Sequence, residues 1–430
     1  MRSAAAIPRA MGNPERPPPV LIVGAGLAGL SCAARLHQAG VKAQIFESSD
    51  AVGGRVRTDQ VDGFLLDRGF QVFLDAYPNA GRILDCDRLR LRAFRPGALL
   101  FRSGKFHRMM DVFRSPSSII GTALAPIGTL RDKLLVARLR RLLMRSSCEE
   151  IAEREASTTE GYLRDFGFSP LMIDGFFRSF YGGVFLEREL QTSSRMFEFT
   201  FKMFAEGSAT LPGDGMQAIP NQLAARLPDG SVLLNTPVRS VEDCGVTLQS
   251  GKRIDAEAVV LAVDAHSGDS LLAGSANDCV AWRSVVGIYF AAPSSPLNEA
   301  IIALNANAEG IVNNVCVPSD VAPNYAPPDQ ALISISVLGD SDDRDLVEKV
   351  LGELEGWFGS EVRGWRHLRT DRIPRALPVP AMETPAQDRR AFHIRNGVYV
   401  CGDHCASASI EGAVTSGRRA AEAVISAVER

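Results

Sequence analysis

Short, wholly apolar runs alternate along the chain with longer stretches in which apolar residues recur every three or four positions. Each change of period marks a change of element. Val20 to Val23 is a continuous apolar run, too short for a helix, and reads as a buried strand. The Ala- and Leu-rich stretch after it keeps a helical period to about Gly40, and Val41 to Phe46 returns to a strand that closes at Glu47. Further on, LPGDGMQAIPNQLAARLPDGSVLLNTPVRSVE runs from a Gly-rich turn through a helix into a strand ending at Val238. GVTLQSGKRIDAEAVVLAVDAH then holds a hairpin turn at Ser250-Gly251 and an apolar strand from Ala258 to Val263. Near the C-terminal end an apolar strand after Asn396 closes on Gly402-Asp403. A loop and a long helix follow, with Gly412, Ala413, Ser416, Gly417 and Ala420 placing small residues on one face.

Two stretches read differently. Leu130 to Arg145 has apolar residues at 130, 134, 135, 139, 142 and 143, with arginine and lysine between them, and follows the apolar SSIIGTALAPIGTL. A basic amphipathic helix beside an apolar loop suits a lipid interface, and equally suits a solvated face over an ordinary core. Residues 117–145 are therefore the candidate for peripheral membrane contact. The second stretch crowds Phe166, Phe168, Phe176, Phe177, Phe180, Tyr181, Phe185, Phe197, Phe199, Phe201 and Phe204 together. Such rings build either the walls of a chamber for a flat or polyene substrate, or a Phe-rich helical core.

The first strand runs directly into Gly24-Ala25-Gly26-Leu27-Ala28-Gly29. In a strand-turn-helix of this kind the first glycine makes the turn, the second admits a pyrophosphate to the backbone, and the third lets helix pack on strand. The helix N-terminus then faces the phosphates. Glu47, at the end of the second strand, is placed to accept from both ribose hydroxyls and to repel a 2′-phosphate. Gly53-Gly54-Arg55 follows where an NAD-binding chain would enter its next helix, so the backbone and an arginine can approach the pyrophosphate a second time, which favours FAD. Asp403 can bond a polyol chain, and the helix start near Glu411 to Ala413 directs its dipole at whatever lies there. A metal site is the alternative for Cys401-Gly-Asp-His404-Cys405, but it lacks a second ligand pair, and no metal is expected.

With 430 residues the chain has room for two or three domains, and its net charge of −3 leaves no overall basic field, which argues against a nucleic-acid partner. The eight cysteines show no paired-spacing framework, which fits a reducing, cytoplasmic compartment. The first nineteen residues read as a disordered leader, and no run approaches the ~20 apolar residues of a membrane span.

The GAGLAG start, Glu47, GGRVRT, LPGDGMQAIPNQLA, TPVRSVE and the closing VYVCGDHCASASIEGAVTSGRRAA together resemble the flavin amine oxidase superfamily. That group includes monoamine oxidases, protoporphyrinogen oxidases and carotenoid desaturases. GFLLDRGFQVFLDAYPN, Gly63 to Asn79, resembles the desaturase version of its region, and SFYGGVFLERELQTSS one shared by protoporphyrinogen oxidases and desaturases.

The resemblance implies an α/β fold with a discontinuous, Rossmann-like FAD-binding domain at 20–100, 211–276 and 386–430, interleaved with a mixed α+β substrate domain at 101–210 and 277–385. It implies that Gly24, Gly26, Leu27, Ala28, Gly29 and Glu47 hold adenosine and pyrophosphate, with Gly53, Gly54 and Arg55 at the pyrophosphate and flavin edge. Asp67, Gly69 and Phe70 would run beside the flavin, Val238 would meet the adenine, Gly402 and Asp403 the phosphate or ribitol, and Ile410, Glu411 and Ala413 the flavin ring. FAD is expected to be non-covalent, because RIPRALPVPAMETP has no tethering cysteine. The amine-oxidase lysine has no match in AWRSVVGIYF, and no paired-aromatic cage surrounds Cys401.

These departures weigh against amine oxidation. The expected activity is hydride transfer from a largely apolar isoprenoid, carotenoid-like or tetrapyrrole substrate to flavin N5, by desaturation, oxidation or isomerisation. An amine oxidase and a non-catalytic flavin carrier or assembly protein are the alternatives. No catalytic base is forced by the sequence. Arg68, Gln71 and Tyr181 are the candidates for the flavin-facing chamber.

Overall fold

The computed structural model describes residues 20–272, 280–379, 393–395 and 397–428. The leader at 1–19, the domain junctions at 276/277 and 385/386, and residues 380–385 of the segment compared for a tethering cysteine lie outside them. The architecture is mixed α/β.

A six-stranded sheet runs in the order 232–233, 43–46, 20–23, 258–261, 398–400, 393–395, parallel except for the last strand. Val20–Val23 and Ala258–Leu261 are buried at every position because both faces of this sheet are covered. Val20 and Ile22 point to a core shared with the Leu27–Gln38 helix and the C-terminal Ile410–Val428 helix. Leu21 and Val23 point instead to the antiparallel hairpins 238–242, 245–248 and 253–255. The small-residue face of the C-terminal helix has a direct use: a Cβ on Gly417 would lie 2.1 Å from the Ala28 carbonyl oxygen of the first helix.

A seven-stranded, mostly antiparallel sheet follows the order 366–379, 281–292, 331–338, 312–316, 302–305, 97–102, 105–110. The strand Gly97–Arg102, which spans the expected 100/101 boundary, belongs wholly to this sheet. Alternate residues divide its faces. Val286, Ile288, Phe290, Ile333, Ile335 and Val337 pack under the Leu346–Phe358 helix. Gly287, Tyr289, Ser334, Ser336, Asn314 and Cys316 share the opposite face, in register with one another. Over it lies a helical layer that includes Leu130–Arg145, Arg178–Phe185 and Ser194–Glu206.

Candidate active site

A continuous cavity of about 1720 Å³ runs between the parallel sheet, the antiparallel sheet and the helical layer. That exceeds the ~300–1,000 Å³ of a usual small-molecule site, so there is room for a dinucleotide and a second molecule.

Its polar half is built largely from backbone. Gly24 adopts φ +103° and its Cβ would lie 2.7 Å from the Ala262 carbonyl oxygen, so a side chain is excluded there. Gly26 caps the first helix without a side-chain cap, and a Cβ on it would meet nothing within 4 Å. The first-turn N–H groups, which have no acceptor within the helix, therefore open on free space suited to a diphosphate. The Gly53-Gly54 turn is pinned against this start by the Gly53 N–H donating to the Ala25 carbonyl at 2.8 Å. Glu47 is fixed at the strand end, accepting from Ala25 N at 2.7 Å, from Ser49 N at 2.9 Å and from Ser49 Oγ at 2.7 Å. Pro237, Val238 and Arg239 line the same end.

Arg55 and Asp403, 348 residues apart in the chain, meet with Nη2 to Oδ1 at 2.5 Å. The Arg55 guanidinium also donates to the Ala376 carbonyl at 3.0 Å and lies 5.4 Å from the Trp282 ring centre. Burial works against its charge, and neighbouring Asp403 outweighs that, so its pKa is raised. The segment after Asp67 is moored to this pair: Gln71 Nε2 donates to the Arg55 carbonyl at 2.9 Å and to the Arg68 carbonyl at 3.0 Å. Arg68 forks onto Asp59 at 3.0 and 3.1 Å. Arg68, Gly69, Phe70 and Gln71 all line the cavity, as do Leu27, Ala28, Gly54, Gly402, Ile410 and Ala413.

Three residues expected at the cofactor do not face the cavity. Gly29 is a packing residue, since a Cβ there would lie 2.1 Å from the Gly24 carbonyl oxygen. Asp67 is buried on the far side of its strand, accepting from Thr58 Oγ1 at 2.5 Å, Met216 N at 3.0 Å and the Tyr325 hydroxyl at 2.8 Å. Burial, partly offset by those bonds, pushes its pKa to about 6. Glu411 turns from the cavity to accept from Asn79 N at 2.9 Å, Asn79 Nδ2 at 2.7 Å and Ala80 N at 2.9 Å. It ties the end of the GFLLDRGFQVFLDAYPN segment to the C-terminal helix. The three phenylalanines of that segment divide likewise: Phe64 and Phe73 are core, whereas Phe70 faces the cavity.

The other half is an apolar chamber. Phe176, Phe180, Phe201 and Phe204 line it together with Met109, Met110 and Met172. Phe177, Phe185 and Phe197 of the same Phe-rich stretch are core, at 0%, 1% and 0% exposure. Tyr181 lines the chamber while almost fully buried, and burial raises its hydroxyl pKa well above the ordinary value. Asn314, Ser336 and Val285 on the sheet face also line the cavity and were not among the residues expected there. The signals were available in VNNVC, two amides inside an apolar strand, and in SIS, where serines alternate with isoleucine.

The chamber reaches the surface between the Ile119–Leu124 and Leu130–Arg145 helices, where Phe113, Ile119, Leu130 and Leu134 belong to its lining. These four side chains are at the same time 53%, 51%, 68% and 73% exposed, and Ile120 and Leu124 beside them reach 74% and 78%. Lys133 joins the two helices, donating to the Ala123 and Ala125 carbonyls at 2.7 and 2.9 Å. Leu139 and Leu143 on the same basic helix are fully buried, so its apolar stripe is split between core and surface. Among the described residues no helix is long and apolar enough to cross a membrane, and no group of three or more His, Cys, Asp and Glu could hold a metal ion.

A dinucleotide cradle built from segments around residues 24–55 and 402–413 and joined to an apolar chamber defines a class of redox flavoproteins. The family model for flavin-containing amine oxidoreductases matches residues 27–425, and the chain belongs to that family. It resembles the 15-cis-phytoene desaturase of Arabidopsis thaliana, 22% identical over 478 residues, covering 97% of this chain and 81% of that one. It also resembles protoporphyrinogen oxidase 2 of Arabidopsis thaliana, 36% identical over 66 residues, 15% of this chain and 13% of that one. Its fold matches a variant of putrescine oxidase with TM-score 0.71 at 17% identity, covering 95% and 99% of the two chains. The protein is an FAD-dependent oxidoreductase of the amine oxidase superfamily. The Gly26, Gly53-Gly54, Glu47 and Arg55–Asp403 set described above fits that cofactor.

Proposed function

We propose that the enzyme removes hydride from a largely apolar substrate of isoprenoid, carotenoid-like or tetrapyrrole type. The carrying observation is the apolar, Phe-lined chamber that adjoins the cofactor cradle and opens among exposed apolar side chains. FAD, when bound, supplies the acceptor for the two electrons of a C–H bond. The chain's own share is positional. Phe176, Phe180, Phe201 and Phe204 offer rigid walls for a flat or extended skeleton and exclude water. Gln71 and Arg68, held by the bonds described above, fix the backbone beside the cradle. Amine oxidation is disfavoured because the Ala281–Ala292 strand carries no lysine.

Delivery of so apolar a substrate favours a peripheral lipid contact at 117–145, where exposed Ile119, Ile120, Leu124, Leu130 and Leu134 share the segment with exposed Arg131, Arg138, Arg141 and Arg145. Flotation with vesicles containing anionic lipid tests it: Ile120→Glu with Leu134→Glu should cut binding several-fold, and unchanged flotation would remove this contact. The reaction itself is tested by adding polyenes, porphyrinogens and amines to the FAD-loaded protein without oxygen. Bleaching by a polyene or a porphyrinogen is the expected result. Bleaching by amines alone would contradict the reading, and bound FAD that nothing bleaches would favour a carrier.

A further inference from the structure

The floor of the chamber has a feature that a pure hydrocarbon substrate does not require. Asn314, on the Val312–Cys316 strand, is 2% exposed and lines the cavity. Its Oδ1 accepts from Asn313 Nδ2 at 3.0 Å, which sets the orientation of the amide. Its Nδ2 is buried without a hydrogen-bond partner among the described residues. A buried amide donor left in that state is unfavourable, a cost that leucine or valine in this wall would avoid.

The surroundings make Asn314 a built position. Leu304 and Ser336 are its register partners on the two neighbouring strands, and both line the cavity. Ser336 is paired in turn with Gly287, and a Cβ on Gly287 would stand 3.5 Å from the Gly69 Cα. The row Leu304, Asn314, Ser336, Gly287 therefore leads from the chamber floor to the Arg68–Gln71 segment beside the cofactor half. From above, the Arg178–Phe185 helix presses on the amide pair, since a Cβ on Gly183 would come within 2.8 Å of Asn313 Nδ2. That close approach holds the pair in place and keeps the Asn314 donor fixed.

We propose that the substrate carries a hydrogen-bond-accepting oxygen on its apolar skeleton, and that Asn314 Nδ2 donates to it and so sets which carbon is presented to the flavin. This rests on the apolar-substrate reading above and narrows it to oxygenated members of the class. Asn314 is a specificity residue, remote from any proton or hydride that moves.

The test compares a polyene aldehyde with the parent polyene hydrocarbon on the FAD-loaded protein, reading equilibrium binding from the polyene absorbance and the carbonyl stretch from Raman scattering. The wild type should bind the aldehyde about tenfold or more tightly than the hydrocarbon, with the carbonyl stretch lowered. Asn314→Leu should abolish that ratio and restore the stretch while flavin content holds. Asn314→Ala removes the donor without adding bulk or charge; it should also lose the preference, which covers the case in which the leucine variant fails to fold. An equal ratio in wild type and variants, as when the amide binds only water, overturns the proposal and leaves the apolar-substrate reading standing. If neither polyene binds, both fall together.

Discussion

The two halves of the cavity are held in place by opposite means. The glycine-rich half is positioned by backbone: glycines whose side chains have no room, carbonyls and N–H groups that pin one turn to another, and a carboxylate locked by three hydrogen bonds. The substrate half is positioned by rings packed on rings, as in Phe176 on Phe180 and Phe180 on Phe204 with centroids 5.7 and 5.2 Å apart. Directional bonds fix a polar ligand to a fraction of an ångström and tolerate little change. Packed rings specify shape and volume, and so leave the choice of apolar ligand open to variation.

Within the Phe-rich stretch the contrast between wall and core can be broken residue by residue. Phe177→Ala, which empties a fully buried site, should cost about 3–5 kcal/mol in urea unfolding. Phe180→Ala, on the chamber wall, should cost clearly less stability and shift KM for an apolar substrate more than it shifts flavin content. Equal stability losses would erase the distinction between them.

The glycines separate in the same way. Gly26→Val meets open space, so the apoprotein should melt as the wild type does while FAD affinity falls by about a hundredfold, the side chain now filling the diphosphate cradle. Gly29→Ala meets the Gly24 carbonyl and should destabilise the apoprotein itself by about 1–3 kcal/mol. Paired thermal melts and FAD titrations of the two variants decide the matter.

Glu411→Gln should lower stability by about 1–3 kcal/mol, since a charged acceptor for three N–H groups becomes a neutral one. The flavin potential should barely move, and a large shift would return Glu411 to the flavin ring.

The smallest effect is a pH dependence at Asp67. Its pKa of about 6 in the folded chain lies above the ordinary 3.8, so between those values the folded chain keeps a proton that the unfolded chain has released. Stability from this group is complete below about pH 4 and is lost as pH rises through about 6. Asp67→Asn should therefore flatten that part of the stability profile relative to wild type, and identical profiles would contradict the assignment.

The strand–turn–helix geometry of the glycine-rich half was largely legible in the sequence because each of its parts is local. A strand, three glycines, a helix and an acid lie within about thirty residues, and their spacing alone dictates the geometry. What spacing could not supply was side-chain direction. Asp67 and Glu411 sit one residue from cavity-lining neighbours, Arg68 and Ile410, yet turn away because successive positions on a strand or a helix start point to different sides. The substrate half was legible as composition only. Phe177 and Phe180 look alike in sequence, and their fates are set by which helix face meets the sheet. The Asn314 row needs the register of four strands drawn from residues 281–338, which no local pattern contains.

We propose that one cavity seats the flavin in the backbone-built half with its reactive face toward the Phe-lined chamber. A crystal structure of the FAD-loaded protein with a bound polyene tests it most directly. The diphosphate is expected at Gly26, the flavin ring between Gly69–Gln71 and Ile410–Ala413, and the polyene against Phe180 and Asn314. A flavin ring walled off from the Phe-lined chamber, or a polyene bound elsewhere, would contradict it.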